Sequence, residues 1–234
     1  GGAASELVTQ KVEGYLGKLK VKSQDFKLAT KQKKITIENL TTDYIKFIRG
    51  YIDFTRIKKA RYRVLLDAMH GSGNGYAAEI LKGTKIELEL MRNKINPSFE
   101  GKRPEPIEEN LFEILSRMKT EDFDLGLVLD GDADRIAAVA QGGEFINPQK
   151  ILGLLALHLI EDRGMSGGVV KTVAGTVLID KICQELGLKL YETPVGFKYI
   201  SELMATKDIL VGGEEAGGMG LKNYIPERDG TLAG

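Results

Sequence analysis

The residues best suited to chemistry in this 234-residue chain are Asp130-Gly131-Asp132-Ala133-Asp134-Arg135. Three carboxylates at alternate positions repel one another and need a cation to offset them. Their oxygens are hard donors, which suit Mg²⁺ or Ca²⁺ rather than zinc. An EF-hand is excluded, because the sixth loop position is Arg135 instead of Gly and the twelfth is Gln141 instead of Glu. Gly131 and Ala133 are small enough to let the backbone fold the carboxylates inward; the plainer alternative is an exposed Asp/Gly turn.

Two further segments carry candidate groups. Gly212 to Gly220 (GGEEAGGMG) holds five glycines in nine residues, a composition that opposes a helix or strand interior. Glu214 and Glu215 on such a loop could accept hydrogen bonds from vicinal sugar hydroxyls, or the loop is a mobile surface connection. Thr193 to Lys198 (TPVGFK) is a turn that sets a cation ahead of a helix, although a lone lysine there also suits plain solvent exposure. His70 to Gly75 (HGSGNG) gives G-x-G-x-G and lacks the third glycine of a dinucleotide-binding turn, so it reads as a tight strand-to-helix connection. Cys183 shares an apolar face with Ile179, Ile182 and Leu186 and reads as a buried thiol. His70 and His158 have no partner at triad or metal spacing.

The elements that must position these groups follow from periodicity and punctuation. Arg61–Asp67 reads as a buried strand, Tyr76–Leu81 as a helix and Lys85–Met91 as a strand, together one βαβ unit. Asn96–Pro106 is a proline-bearing loop and Ile107–Met118 a helix. Leu125–Leu129 is a strand whose carboxyl end delivers the aspartates, the end at which α/β folds bind ligands. Asn147 as N-cap and Pro148 at the first position start the next helix, and Gly164 is placed to stop it. A second βαβ unit runs from Gly168–Thr172 through Leu178–Leu186 to Lys189–Tyr191. Residues 197–204 are helical, and Ile209–Val211 is a short strand before the glycine-rich segment. Two α/β domains thus meet near Phe145–Pro148. The first 60 or so residues differ in texture. Ala4–Leu16 and the stretch Tyr44–Ile52 have helical spacing, and between them lie Lys18, Lys20, Lys22, Lys27, Lys31, Lys33 and Lys34, read as a solvated connection.

Composition narrows the class. The chain balances 33 basic against 33 acidic residues, so it lacks the field that draws nucleic acid or anionic membrane to a protein. Its longest apolar run, Ile151–Ile160 with His158 inside, falls short of the ~20 residues of a membrane span. Its start does not resemble a signal peptide. A single cysteine excludes an internal disulfide framework and a cysteine-rich zinc site. The expectation is a cytoplasmic mixed α/β protein without nucleic-acid or membrane partners.

Taken together and in order, VLLDAMHGSGNGY, NPSFEGKRPEPIEENL, DGDADR, KTVAGTVLID, ETPVGFKYI, GGEEAGG and IPERDG resemble the α-D-phosphohexomutase superfamily, the phosphoglucomutases and phosphomannomutases. The resemblance implies two mixed-sheet α/β domains preceded by helical remnants of another: 1–55 as the end of a first domain with connecting helices, 56–146 as the metal-loop domain and 147–234 as the sugar-recognition domain. It implies Mg²⁺ on Asp130, Asp132 and Asp134, with Arg135 and Lys198 as catalytic groups. Substrate contacts would come from Gly196, Glu214, Glu215 and the position of Ala216. The reaction implied is interconversion of hexose 1-phosphate and hexose 6-phosphate, with a hexose bisphosphate as activator and intermediate. No segment resembles the family's serine loop, usually Thr-Ala-Ser-His-Asn. The chain is therefore expected to be a central piece without the first and fourth domains, inactive alone. Ala216 stands where the family usually has serine, Asn223-Tyr224 where Gly-His is common, and Ala174-Gly175 where serines are common. The other readings are a non-catalytic sugar-phosphate-binding protein derived from the same fold, and a haloacid-dehalogenase-like phosphatase suggested by LGLVLDGD.

Overall fold

The computed structural model describes residue 4, residues 6–18 and residues 23–234. These form two compact units, Ala4–Ile52 and Asp53–Gly234. The first contains helices α1 (Glu6–Glu13), α2 (Phe26–Lys31) and α3 (Thr41–Tyr51). The lysine-rich stretch is not wholly a connection: α2 lies within it, started by Asp25, whose carboxylate accepts from the Leu28 amide at 2.8 Å. Lys20 and Lys22 lie outside the described residues.

The second unit opens with α4 (Phe54–Lys59) and holds two mixed sheets. In the first, β1 (Arg63–Asp67) lies between β2 (Glu87–Met91) and β3 (Leu125–Leu129), all parallel, with α5 (Tyr76–Leu81) as the first crossover. β4 (Ile136–Ala140) and β5 (Glu144–Ile146) then extend this sheet antiparallel, giving the order β2-β1-β3-β4-β5. The sequence reading does not contain these two strands. Ala137, Ala138 and Ala140 have weak strand propensity, and β4 forms because its neighbours bury it, with Ile136, Ala137 and Val139 fully enclosed.

The helix expected at Ile107–Met118 is instead a 3₁₀ turn, Glu108–Asn110, followed by α6 (Phe112–Thr120). Leu111 breaks it: the side chain is fully buried and the backbone leaves the helical basin at φ −105°. Leu65, Leu111, Ile114, Met118, Phe123 and Val128 form the core beneath this sheet.

The second sheet has the order β7-β6-β8-β9, with β6 (Gly168–Thr172), β7 (Leu190–Thr193) and β8 (Ile209–Gly213) parallel and β9 (Met219–Leu221) antiparallel. Helix α7 (Pro148–Leu157) starts as expected, with Asn147 accepting from the Lys150 amide at 3.0 Å. It continues as a π turn over His158–Asp162 before Gly164 ends it in the left-handed region. Helices α8 (Val177–Glu185) and α9 (Phe197–Thr206) complete this layer, and α10 (Gly230–Ala233) closes the chain. Cys183 is buried beside Ile179 on α8.

The glycine-rich segment corrects the sequence reading. It is neither a loop throughout nor a mobile surface connection: Gly212 and Gly213 lie inside β8, and the segment is a largely buried hairpin between β8 and β9. Small residues are required by packing here. A Cβ on Gly212 would stand 2.4 Å from the Ile200 methyl on α9. No helix of the described residues is long and apolar enough to cross a membrane.

Candidate functional site

The acidic segment is the tip of the β3–β4 hairpin, which closes with Leu129 opposite Ile136. Ala133 takes φ +64°, the left-handed turn that brings the strand pair round and gathers the carboxylates. Oxygens of Asp130, Asp132 and Asp134 all lie within 4.8 Å of one another. Asp130 is fully buried, Asp134 half-buried and Asp132 exposed, so the cluster opens to solvent on one side.

Glycines elsewhere make room for this tip. The turn after β1 presses against it, with the Ser72 amide donating to the Gly131 carbonyl at 3.0 Å. A Cβ on Gly71 would fall 2.4 Å from that carbonyl oxygen, which explains a glycine there without any dinucleotide. On the other side the Gly131 amide donates to the Pro104 carbonyl at 3.1 Å. Phe99, Arg103, Pro104, Glu105, Gly131, Asp132 and Arg135 line a cleft of about 420 Å³ beside the tip.

Two arginines offset the charge. Arg135 donates from Nε to Asp130 at 2.5 Å and from its backbone amide at 3.1 Å. Arg228 bridges from elsewhere: one terminal nitrogen is 2.5 Å from Asp134 and the other 2.9 Å from Glu214. Burial raises the Asp130 carboxyl above the usual range despite Arg135. Asp134 is pushed up to about 6, chiefly by burial, with Asp130 and Asp132 adding to the rise and Arg228 opposing it. Three carboxylates gathered this closely, with Asp130 and Asp134 held above the usual range and oxygen donors only, fit a hard divalent cation. Asp130, Asp132 and Asp134 could hold it.

Glu214 is buried at the second hairpin, 8% exposed, with Arg228 as its partner. Glu215 accepts from the Thr172 hydroxyl at 2.6 Å, and Ala216 is half-buried at the hairpin tip. The two hairpins touch: Arg135 and Gly218 form an antiparallel bridge, and the Ile136 amide donates to the Gly217 carbonyl at 3.1 Å. Thus the structure brings Asp130, Asp132, Asp134, Arg135 and Glu214 into one place. Lys198 and Gly196 lie at the start of α9 on either side of Phe197, whose ring centre is 5.5 Å from the Arg228 guanidinium carbon. Lys198 is exposed, its Nζ 4.9 Å from the Tyr199 ring centre, and Gly196 is the N-cap with φ +126°.

Sequence reasoning assigned no role to Arg228. The only signal was its place in IPERDG; its partner Asp134 lies far from it along the chain, and Glu214 precedes it by 14 residues across β9. His70 also has neighbours that its spacing did not suggest, with Nδ1 2.9 Å from the Lys94 carbonyl and Nε2 3.3 Å from Glu100. His158 pairs with Asp162 at 2.7 Å.

Comparison with known proteins places this geometry in context. Residues 42–143 match the family model of phosphoglucomutase/phosphomannomutase alpha/beta/alpha domain II, and residues 147–234 match that of domain III. A phosphoglucomutase/phosphomannomutase of Thermococcus kodakarensis is 30% identical over 195 residues, covering 83% of this chain and 42% of the relative. Human phosphoglucomutase-1 is 29% identical, covering 94% of this chain and 40% of the relative. Among solved structures, a protein of Thermus thermophilus provisionally named a phosphomannomutase superposes with a TM-score of 0.80 at 36% identity, over 84% of this chain and 45% of that one. The chain therefore spans about two fifths of the length of the curated relatives it matches.

Proposed function

This chain belongs to the phosphoglucomutase/phosphomannomutase family, with domains II and III side by side, and from that premise we propose that it supplies the metal-binding and sugar-recognition parts of a phosphohexomutase. The reaction is reversible movement of a phosphoryl group between the 1- and 6-hydroxyls of a hexose phosphate, through a hexose bisphosphate. The observation that carries this reading is the direct contact between the carboxylate tip of one sheet and the glutamate hairpin of the other.

Asp130, Asp132 and Asp134 would hold Mg²⁺, which would supply positive charge to offset the charge developing on a transferring phosphoryl group. Arg135 fixes Asp130 through two hydrogen bonds and so sets the tip's geometry. Glu214 and Glu215 receive sugar hydroxyls on the lone pairs left free by Arg228 and Thr172, since a carboxylate has about four acceptor sites. Hydroxyl recognition of this kind tolerates the sugar in either orientation, as a 1,6 exchange requires. Lys198 and Gly196 flank the sugar from the α9 end. Family resemblance supports these last two roles.

Calorimetry tests the reading in two steps. Mg²⁺ or Mn²⁺ should bind with a stoichiometry of about one, and Asp132→Asn should lose at least tenfold in affinity because the oxygen shell is incomplete. Hexose 1-phosphate should then bind better with metal present, and Glu214→Ala should weaken it. Metal-independent sugar-phosphate binding would favour the non-catalytic binding protein instead. In a coupled mutase assay with bisphosphate activator, the 234 residues alone should give background, because none of them matches the family's phosphoserine. Turnover abolished by Asp130→Ala would contradict that.

A further inference from the structure

Arg228 carries more information than a surface ion pair. Its guanidinium lies between two carboxylates from different sheets, 2.5 Å from Asp134 and 2.9 Å from Glu214. The Phe197 ring supports it with a centroid 5.5 Å from the guanidinium carbon. Its own Nε is buried without a hydrogen-bond partner, with a carboxylate oxygen of Glu227 4.0 Å away. The side chain is thus placed to serve the two carboxylates at the cost of one of its own donors.

The two arginines at the cluster differ in kind. Arg135 belongs to the carboxylate tip itself and is held by Asp130 through side chain and backbone. Arg228 arrives from the segment after β9, and its hold on the tip is Asp134. Asp134 is one of the three aspartates that would ligate the cation. A divalent ion there and a guanidinium 2.5 Å from Oδ2 of the same carboxylate repel each other and divide its charge between them.

We infer that Arg228 is a positioning residue that occupies the cation's place on Asp134, so that metal binding and the Glu214 hairpin are coupled through it. This rests on the metal reading given above. Loading the tip releases Arg228 from Asp134 and leaves it to Glu214 and Phe197, which makes the glutamate hairpin respond to the metal. By linkage, whatever ties Arg228 more tightly to Asp134 weakens metal binding, and whatever removes its charge strengthens it.

The signs of three substitutions separate this from simple structural support. Calorimetric titration of the whole chain with Mn²⁺ should show Arg228→Met tightening affinity roughly tenfold, the scale of one charge-assisted bond given up. Arg228→Lys, which keeps the charge, should stay close to the parent. Glu214→Gln leaves Asp134 as the close ion-pair partner of the guanidinium, with Glu227 at 4.0 Å, and should weaken affinity by roughly threefold. Equal or weaker Mn²⁺ binding in Arg228→Met overturns the inference, since a mere buttress lowers affinity when removed. If Arg228→Met fails to fold, Glu214→Gln decides alone, and unchanged or tighter binding there overturns the inference. Titrations in which the parent and Asp132→Asn are both silent overturn the metal reading itself, and this inference with it.

Discussion

A single hydroxyl at Thr172 shows what individual residues contribute here. The side chain is fully buried at the end of β6 and donates to Glu215 at 2.6 Å, which fixes one of the two hairpin glutamates. Thr172→Val keeps the shape and removes the donor. Because Glu215 is partly solvated, the loss should fall near the low end for bonds to charged groups, about 1.5 kcal/mol in urea unfolding. Ala216 offers the opposite experiment. It is half-buried at the hairpin tip, and Ala216→Ser adds one neutral hydroxyl worth roughly 0.5–1.5 kcal/mol. Hexose-phosphate affinity measured with metal present should therefore rise by at most about tenfold. At this scale the sequence was legible wherever partners are neighbours in the chain. Asp130, Asp132, Asp134 and Arg135 declare themselves within six residues. Thr172 and Arg228 did not, because their partners arrive from other strands.

Elements divide along the same line. The start of α7 was readable because Asn147 and Pro148 act on the backbone next to them, and Asn147→Ala should cost about 1 kcal/mol by removing the side-chain cap and leaving the Lys150 amide only the Asn147 carbonyl. β4 was not readable, because an alanine-rich strand owes its state to enclosure by β3 and the core instead of to local preference, and β5 is only three residues long, too short for a periodic pattern. The glycines were misread for a related reason. Their composition says loop, whereas Gly212 is a strand residue kept small by Ile200. Gly71 is the case with consequences for function. Since the obstruction is backbone, the Gly131 carbonyl, a methyl group there must push the carboxylate tip or the β1 turn aside. Gly71→Ala should destabilise the protein by about 1–3 kcal/mol in thermal or urea unfolding. It should also weaken Mn²⁺ binding although it touches no carboxylate. Full metal affinity in that variant would show that the tip tolerates the shift.

For the whole molecule the question is whether the two sheets of Asp53–Gly234 behave as one body. Helix α7 packs against β4 of the first sheet and against β8 of the second, and α10 likewise contacts β4 and β9. Around the carboxylate tip, the Gly230 amide donates to the Ala133 carbonyl at 3.0 Å and the Ile136 amide to Gly217 at 3.1 Å. A site assembled from two hairpins needs such ties, because a carboxylate tip and a glutamate hairpin that drift apart cannot serve one ligand. The mixed α/β class was legible from the alternation of strands, turns and helices; these cross-links were not, since no local pattern encodes them. Leu152 tests the coupling: it is 3% exposed on α7 and faces Gly213 of β8. Leu152→Ala should cost about 2–5 kcal/mol through the cavity it leaves. Native-state hydrogen exchange should show amides of β3 and β4 losing protection together with those of β6 and β8, because opening one sheet removes a wall of the other. Saturating metal should return part of that loss to both sheets, about 2.7 kcal/mol at a concentration one hundred times the dissociation constant. Loosening confined to β6–β9, with β3 and β4 unchanged, would mean that the sheets fold independently and that contact at the two hairpins alone keeps the site together.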